Sequence, residues 1–328
     1  MTKIRKYFLL LLLVFSCPAL AQRYTISPVN ADQVLSADSL RADVEYLCAP
    51  ELGGRATGTD GGRAVADWLE GEFRVLGLQP LSGAWMHGFS TSDGMARNVV
   101  GLIPGSYTPA RYVVLMAHFD NLGILNGRFY PGADANASGV AALLQLARMV
   151  TQMNTCHKIY GQGLIVVALD AKEKNQGGAE YLWRELSAGK LLDPVSGQAV
   201  TPSQISLVVN LDQLGGTQAP LTEGNPRFLM MLSDDATGRR SALQSANKDT
   251  GLNLELGYDY YGSKDFTRLF YRRVSDQRIF LEHGIPAVMF TSGITLLNNK
   301  PTDIPDSLDY EVLRDRVRLI FYWLHKVL

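Results

Sequence analysis

Short apolar runs alternate along this chain with segments of helical spacing, and this alternation is the feature that most constrains its fold. Several of the runs are apolar at consecutive positions, so both faces of the strands that they predict must be buried. The predicted strands comprise residues 98–102, 112–117, 163–169, 205–211, 228–232 and 286–291. The predicted helices comprise residues 39–46, 62–76, 136–150, 179–188, 241–248 and 310–327. The alternation predicts an α/β protein: a three-layer αβα sandwich with a mixed, largely parallel central sheet.

The first 21 residues have the composition of a signal peptide. A basic start precedes the unbroken apolar run 8–15, and the Ala-Leu-Ala sequence at 19–21 is typical of a cleavage site. The run is too short to span a bilayer, so an anchoring helix is not expected. Cys17 is an alternative, as a lipid-attachment site, but Pro18 directly follows it. We therefore expect an exported protein, periplasmic or extracellular, that begins at Gln22.

The remaining chain, residues 22–328, contains no linker, repeat or low-complexity tract, and we expect it to form a single domain. It carries 28 Lys and Arg against 32 Asp and Glu, a net charge of −4. This mild acidity does not favour binding to nucleic acid or to an anionic membrane, and no later apolar stretch is long enough for a membrane span. Cys48 and Cys156 could form a disulfide after export, but their spacing in sequence leaves this open.

Polar residues follow several of the predicted strands, at the edge of the sheet where α/β proteins place their chemistry. His118 and Asp120 follow the second strand, and their spacing suits a metal ligand with an orienting carboxylate. Lys172 and Glu173 follow the third strand, and Asp212 follows the fourth. Taken singly, each of these is also an ordinary loop residue.

Taken in order, these segments match one family. The match begins at the glycine-rich segment 52–59 (LGGRATGT) and continues through residues 97–101 (RNVVG) and His118-x-Asp120. It then covers residues 132–139 (GADANASG), 284–290 (GIPAVMF) and 301–303 (PTD). The chain resembles the clan MH zinc exopeptidases, the aminopeptidase group that includes the glutaminyl cyclases. The resemblance implies the aminopeptidase fold and a site for two zinc ions that activate a bridging water.

Three positions of the metal ligands and the general base depart from the pattern that the resemblance implies. Ala135 stands where the aspartate that bridges both metals is expected, Lys172 where the general base is expected, and Asn299 where the last histidine ligand is expected. His118, Glu173 and Asp212 remain at ligand positions, with Asp120 behind His118. Gln277 also replaces a usual histidine.

Catalytic zinc normally has three protein ligands and a water. The resemblance therefore implies too few ligands for either metal. We expect no cofactor, or zinc only if another residue replaces a lost ligand. Asp134, next to Ala135, could supply that replacement, although a one-residue slip normally points a side chain elsewhere. We expect the Lys172 ammonium to replace the metals in an ion cluster with Glu173 and Asp212.

Three functions are consistent with these observations. The favoured hypothesis is an exported, non-catalytic homologue that uses the cleft to bind a peptide or a protein partner. The alternative is a zinc-dependent exopeptidase with a remodelled single-metal site, or a metal-free activity that uses Lys172. A purely structural exported domain is the third hypothesis.

Overall fold

The computed structural model describes residues 28–219, 225–233, 238–259, 263–273 and 275–328. The predicted signal peptide, residues 1–21, lies outside the described residues. In the described ranges, no helix combines the length and apolar character that crossing a membrane requires.

Helices account for much of the described chain. In chain order they are α1 (Val29–Asp32), α2 (Ala37–Leu47), α3 (Asp60–Val75), α4 (Ser138–Thr155), α5 (Gly177–Ser187), α6 (Gly238–Thr250), α7 (Lys264–Arg273), α8 (Gln277–Glu282) and α9 (Tyr310–Val327). Side-chain caps fix several of the starts. Ser36 accepts a hydrogen bond from the third residue of α2, and Thr59 and Asp309 cap α3 and α9 in the same way.

The strands form one large sheet and one small hairpin. They are β1 (Gln79–Pro80), β2 (Met86–Thr91), β3 (Gly94–Ile103), β4 (Tyr112–His118), β5 (Gly123–Leu125), β6 (Arg128–Tyr130), β7 (Gly163–Leu169), β8 (Ile205–Leu211), β9 (Phe228–Ser233), β10 (Glu255–Gly257) and β11 (Ala287–Thr291). Among the described residues the large sheet has nine strands in the order β1-β3-β7-β4-β8-β11-β9-β10, with β2 also paired to β3. Strands β5 and β6 pair only with each other.

The centre of the sheet is parallel. Strands β7, β4, β8 and β11 run in the same direction, whereas β3 and β9 are antiparallel to their neighbours in this group. The carboxyl ends of the four central strands therefore meet at one edge. This is the edge at which the polar residues of the sequence analysis lie.

Helices cover both faces of the sheet. Along β7, Leu164, Val166 and Ala168 pack in the larger apolar cluster, to which α2, α3, α4, α6 and α9 contribute. The alternate residues of the same strand pack in a second cluster with α5 and α8. All seven residues of β7 are buried, which explains why its sequence is apolar at consecutive positions. The predicted three-layer αβα sandwich with a mixed central sheet is confirmed.

The elements differ from the predictions mainly at their ends. The predicted helix 136–150 begins two residues later, at Ser138, because a buried irregular turn, Ala133–Ala137, precedes α4. The structure also contains β2, the β5–β6 hairpin, α7 and α8, which the apolar pattern did not predict. Cys48 and Cys156 are both free thiols.

Candidate functional site

His118 is the last residue of β4 and is almost fully buried, at 1% exposure. Its Nδ1 donates a hydrogen bond to the Asp120 carbonyl oxygen at 3.1 Å, since a carbonyl can only accept. This orients Nε2 toward Asp212 Oδ1, 3.7 Å away. Among the described residues, neither of these two buried atoms has a hydrogen-bond partner.

Asp120 connects the histidine to the loop that follows β7. Its two carboxylate oxygens accept the backbone N–H groups of Lys172 and Glu173, each at 3.0 Å. Burial raises the pKa of Asp120, but the His118 interaction and these two N–H groups lower it below its usual value. The predicted orienting carboxylate is therefore next to His118, and it also fixes the position of the Lys172 loop.

Lys172 and Glu173 form an ion pair, with 2.9 Å between Nζ and Oε1. Burial lowers the pKa of Lys172, but the charges of Asp212, Glu173 and Asp276 more than offset this and raise it. Among the described ion pairs, none joins Lys172 to Asp212 within 4.0 Å. The prediction of a three-residue ion cluster is therefore wrong for the contact between Lys172 and Asp212. The charge of Asp212 raises the pKa of Lys172 without a direct ion pair between the two side chains.

Asp212 follows β8 and is held from another direction. Its Oδ2 accepts a hydrogen bond from Ser275 Oγ at 2.6 Å, and Ser275 in turn accepts one from Asn210 Nδ2 at 2.8 Å. Burial raises the pKa of Asp212, but His118, Lys172 and the Ser275 hydrogen bond lower it to about 2. A charged Asp212 thus lies against the imidazole of His118.

Asp134 is not directed into this group of residues. Its Oδ1 accepts the backbone N–H groups of Gly215 at 2.8 Å and Gly216 at 3.0 Å, together with Ser138 Oγ at 3.1 Å. A Cβ at Gly216 would lie 2.5 Å from Asp134 Oδ2, so only glycine allows this approach. The one-residue offset from Ala135 thus directs Asp134 Oδ1 to the backbone of Gly215 and Gly216, in line with the expectation that Asp134 does not readily replace the bridging residue.

Ala135 stands beside it with only a methyl group, at 7% exposure. Its backbone is fixed by Asp303, whose carboxylate accepts the N–H groups of Asp134 at 2.8 Å and Ala135 at 3.1 Å. The turn is thus held in place by contacts that do not require a side chain at Ala135.

Asn299 lies exposed in a turn, with a φ of 57°. The adjacent Asn298 is the residue of this turn that contacts the strand-end loops, because its Oδ1 accepts Gln213 Nε2 at 3.0 Å. Gln277 is fully buried and bonds to Asn210 Nδ2 at 2.9 Å and to the Tyr271 carbonyl oxygen at 2.7 Å. Gln277 therefore connects the start of α8 to β8 and to α7.

The candidate site residues predicted from the sequence do not include Asp276. This residue is fully buried directly before α8, and neither of its carboxylate oxygens has a hydrogen-bond partner among the described residues. Burial raises its pKa to about 7, and the charges of His118 and Lys172 counteract this. Its position next to Gln277, which departs from the family pattern, is the signal that could have identified it.

Two buried arginines hold the loops around these residues. Arg55, in the glycine-rich loop, donates to the carbonyl oxygens of Phe119 at 2.8 Å and Gly132 at 3.0 Å. Arg316, in α9, donates to the carbonyl oxygens of Leu214 at 2.7 Å and Gly216 at 2.8 Å. Arg316 also donates to the carbonyl oxygens of Pro226 and Phe228, both at 2.8 Å.

The described residues group fewer metal ligands than a zinc centre normally uses. No group of three or more His, Cys, Asp or Glu side chains in the described part of the chain is arranged to hold a metal ion. Catalytic zinc normally requires three protein ligands. The Lys172 ammonium also lies beside Glu173, where it would repel a dication.

An open cavity of about 610 Å³ borders Glu173. Its walls are the glycine-rich loop and the β5–β6 hairpin, and they include Leu52, Ala56 and Ile124. This volume falls within the range of about 300–1,000 Å³ that is typical of ligand sites.

Comparison with known families identifies the chain. Residues 98–324 match one family model, described as Peptidase family M28. The chain belongs to this family. The resemblance to clan MH zinc exopeptidases is confirmed by this match and by the solved structures that share the fold.

Curated relatives of this M28 chain are distant. It is 25% identical over 293 residues to the uncharacterized protein YfbL of Escherichia coli, and the match covers 84% of each chain. It is also 25% identical to a probable zinc metalloprotease of Pyrenophora tritici-repentis, over 78% of this chain. The chain spans 57% of the length of that fungal relative.

Solved structures of aminopeptidases and glutaminyl cyclases share the fold of this M28 chain. BSAP, a zinc aminopeptidase from Bacillus subtilis, superposes with a TM-score of 0.67 at 12% identity, covering 89% of this chain and 95% of its own. The glutaminyl cyclase of Macrostomum lignano gives a TM-score of 0.67 at 20% identity, covering 93% of each chain. At these identities the likeness shows the fold alone.

Proposed function

We propose that this M28 chain is an exported, non-catalytic family member that uses its cleft to bind a peptide or a protein partner. One observation carries the proposal. Ala135 places a methyl group where the two-metal site needs a bridging carboxylate, and the adjacent Asp134 directs its carboxylate to the backbone of Gly215 and Gly216. Without this carboxylate each of the two zinc ions lacks one of its expected protein ligands.

Two further positions support the proposal. Lys172 provides an ammonium at the position of the general base, and a charged ammonium cannot accept a proton from water. Asn299 is exposed and provides an amide where a histidine ligand is expected. Three independent changes would thus have to be offset for the family reaction to proceed.

Export rests on residues 1–21, whose composition is that of a signal peptide. The test is to express the full chain in a bacterial host and to determine the N-terminal sequence of the protein in the periplasm and the medium. A chain that begins at Gln22 in either fraction is the expected result. A full-length chain retained in the cytosol would contradict export.

The test of lost catalysis is the metal content of the purified chain from Gln22 onward. The protein is exposed to excess zinc, washed with a chelator and subjected to elemental analysis, and amino-acid p-nitroanilides are assayed in parallel. We expect retained zinc far below one equivalent and no turnover above a heat-denatured control. Retention of one or two equivalents with turnover would refute the proposal.

A variant that restores the family pattern provides the matched positive control. Ala135→Asp, Lys172→Glu and Asn299→His together supply the bridge, the base and the last ligand, and we expect this triple variant to retain zinc where the parent chain does not. Lys172→Glu alone restores no ligand and should behave like the parent. The comparison separates a lost metal site from a protein that has merely lost its metal during purification.

A single-metal exopeptidase is the second candidate, and one observation favours it. His118 Nε2 and Asp212 Oδ1 are buried, lie 3.7 Å apart and have no hydrogen-bond partner among the described residues. Asp276 has neither carboxylate oxygen hydrogen-bonded among the described residues, whereas Asp134 has only Oδ2 without a partner. This candidate predicts that zinc is retained by the parent chain and lost in both His118→Ala and Asp276→Asn.

A further inference from the structure

The open cavity beside Glu173 has one apolar wall. We call this cavity the hairpin groove and define it by the apolar residues Leu52, Ala56, Leu122, Ile124 and Leu125 and the acidic residues Glu51, Asp60, Asp93 and Glu173. The apolar residues come from the glycine-rich segment 52–59 and from β5 with the residue before it.

Strand β5 of the hairpin exposes two aliphatic side chains. Ile124 is 61% exposed and Leu125 is 44% exposed, and they are adjacent residues of the three-residue strand β5. Single exposed aliphatic residues are common on protein surfaces, but both of these side chains line the same cavity, where a ligand could contact them. The apolar wall therefore suits an occupant with aliphatic groups.

The lining of the groove also includes carboxylate groups. Four carboxylates line the groove against one lining ammonium, that of Lys174, which pairs with Asp93. Glu173 pairs with Lys172, so Glu51 and Asp60 are the carboxylates that remain for a ligand. Asp60 is 93% exposed and pairs with Arg63 only at the surface, where such a pair contributes little. Glu51 takes part in no ion pair among those of the described residues.

From this combination we infer that the hairpin groove binds an extended peptide segment that carries basic side chains next to aliphatic ones. The aliphatic stems of Lys or Arg can pack along Ile124 and Leu125 while their charged ends reach Glu51 and Asp60. The negative field of the groove attracts basic segments and disfavours acidic ones. The inference rests on the proposed function, because the groove adjoins Glu173 and so forms the outer part of the same cleft.

The experiment measures binding of three fluorescein-labelled peptides to the chain from Gln22 onward, by fluorescence anisotropy at low and high salt. The peptides alternate Leu with Arg, Leu with Glu, and Ser with Gly. We expect the Leu-Arg peptide to bind most tightly and to weaken at high salt, because exposed charges are screened. The Leu-Glu and Ser-Gly peptides should bind at least about tenfold more weakly, a difference of about 1.4 kcal/mol.

Paired variants locate the binding. Glu51→Gln with Asp60→Asn removes two groove carboxylates, and we expect it to weaken binding of the Leu-Arg peptide by about threefold to tenfold at low salt. Asp306→Asn with Glu311→Gln removes two carboxylates of similarly exposed residues away from the groove, at 85% and 67% exposure, and should leave binding unchanged. Circular dichroism verifies that both variants remain folded.

The apolar wall has its own variant. Ile124→Ser with Leu125→Ser should weaken binding of the Leu-Arg peptide at both salt concentrations. Val75→Ser with Val195→Ser is the control, since these residues are 81% and 66% exposed and do not line the groove.

The outcomes separate this inference from the proposed function. If the Leu-Glu or Ser-Gly peptide binds as tightly as the Leu-Arg peptide, or if the carboxylate variant binds like its control, the inferred ligand class is wrong, while peptide binding by the cleft stands. If no peptide of any composition binds, both the inference and the peptide-binding function fail.

Discussion

Asp134 offers the most direct test of how the site is built. If its carboxylate serves the 215–216 backbone, then Asp134→Ala must destabilise the fold. If it is instead a metal ligand, Asp134→Ala and Asp134→Asn must both abolish metal retention. The structure gives Oδ1 three hydrogen bonds, from Gly215 N, Gly216 N and Ser138 Oγ.

The expected magnitude follows from the groups that lose their acceptor. Asp134→Ala removes the hydrogen-bond acceptor of two buried backbone N–H groups and of the buried Ser138 hydroxyl. Ser138 Oγ still donates to the backbone carbonyl oxygen of residue 134. Each unsatisfied buried donor costs about 1–3 kcal/mol, so we expect the free energy of unfolding to fall by about 3–4 kcal/mol. Asp134→Asn keeps the Oδ1 acceptor and should cost less than about 1.5 kcal/mol.

Burial of the Asp134 carboxylate is a second reason to expect that Asp134→Asn retains its stability. Burial, together with the charge of Asp303, raises the pKa of Asp134 to about 7, so a neutral side chain is well tolerated at this position. Asn provides that neutral group with almost the same shape. The difference between the Ala and Asn variants therefore isolates the hydrogen bonds from the charge.

Urea unfolding followed by circular dichroism measures both variants against the parent, with zinc retention as a second readout. Ser138→Ala is a third variant, which removes one donor and one acceptor together and should cost about 1 kcal/mol. A loss below about 1 kcal/mol in Asp134→Ala would refute the structural role. So would a parent chain that retains zinc and an Asp134→Asn variant that does not.

Three other predictions follow from residues outside the ligand positions. Burial raises the pKa of Asp43 from 3.8 to about 6, so the folded state retains a proton that the unfolded state releases, and stability falls as the pH rises between these two values. Asp43→Asn should therefore be more stable than the parent by about 2–3 kcal/mol in urea unfolding at pH 8, and by much less at pH 4. Arg316→Met removes the guanidinium from four carbonyl oxygens and should cost about 4 kcal/mol in the same assay, with Arg316→Lys losing less. Iodoacetamide should label Cys156 rapidly and the buried Cys48, whose pKa burial raises to about 11, only on unfolding; failure to label either thiol without reductant would indicate a disulfide.

The sequence predicted the central strands well because burial on both faces leaves a continuous apolar signature. Residues 163–169 and 205–211 match β7 and β8 at both ends. The β5–β6 hairpin and α8 have three-residue strands and a six-residue helix, which are too short to show a period. Their positions are set by tertiary contacts rather than by local pattern.

The candidate site could be predicted only to the level of which residues follow which strands. The parallel order of β7, β4 and β8 brings the loop of Lys172, His118 and Asp212 to one edge, as expected. The direction of each side chain within a loop depends on backbone dihedral angles that no sequence pattern encodes. The orientation of Asp134 toward a loop about 80 residues away was therefore not foreseeable.

The two buried arginines affect which positions near the strand-end edge tolerate substitution. The loops that present His118 and Asp212 are attached to the rest of the domain through the guanidinium groups of Arg55 and Arg316, which occupy no ligand position. A residue exchanged at a ligand position therefore leaves these attachments intact. Mutational tolerance should therefore be higher at Ala135 and Asn299 than at the two arginines, which makes the strand-end edge a framework into which new binding chemistry could be installed while these attachments remain.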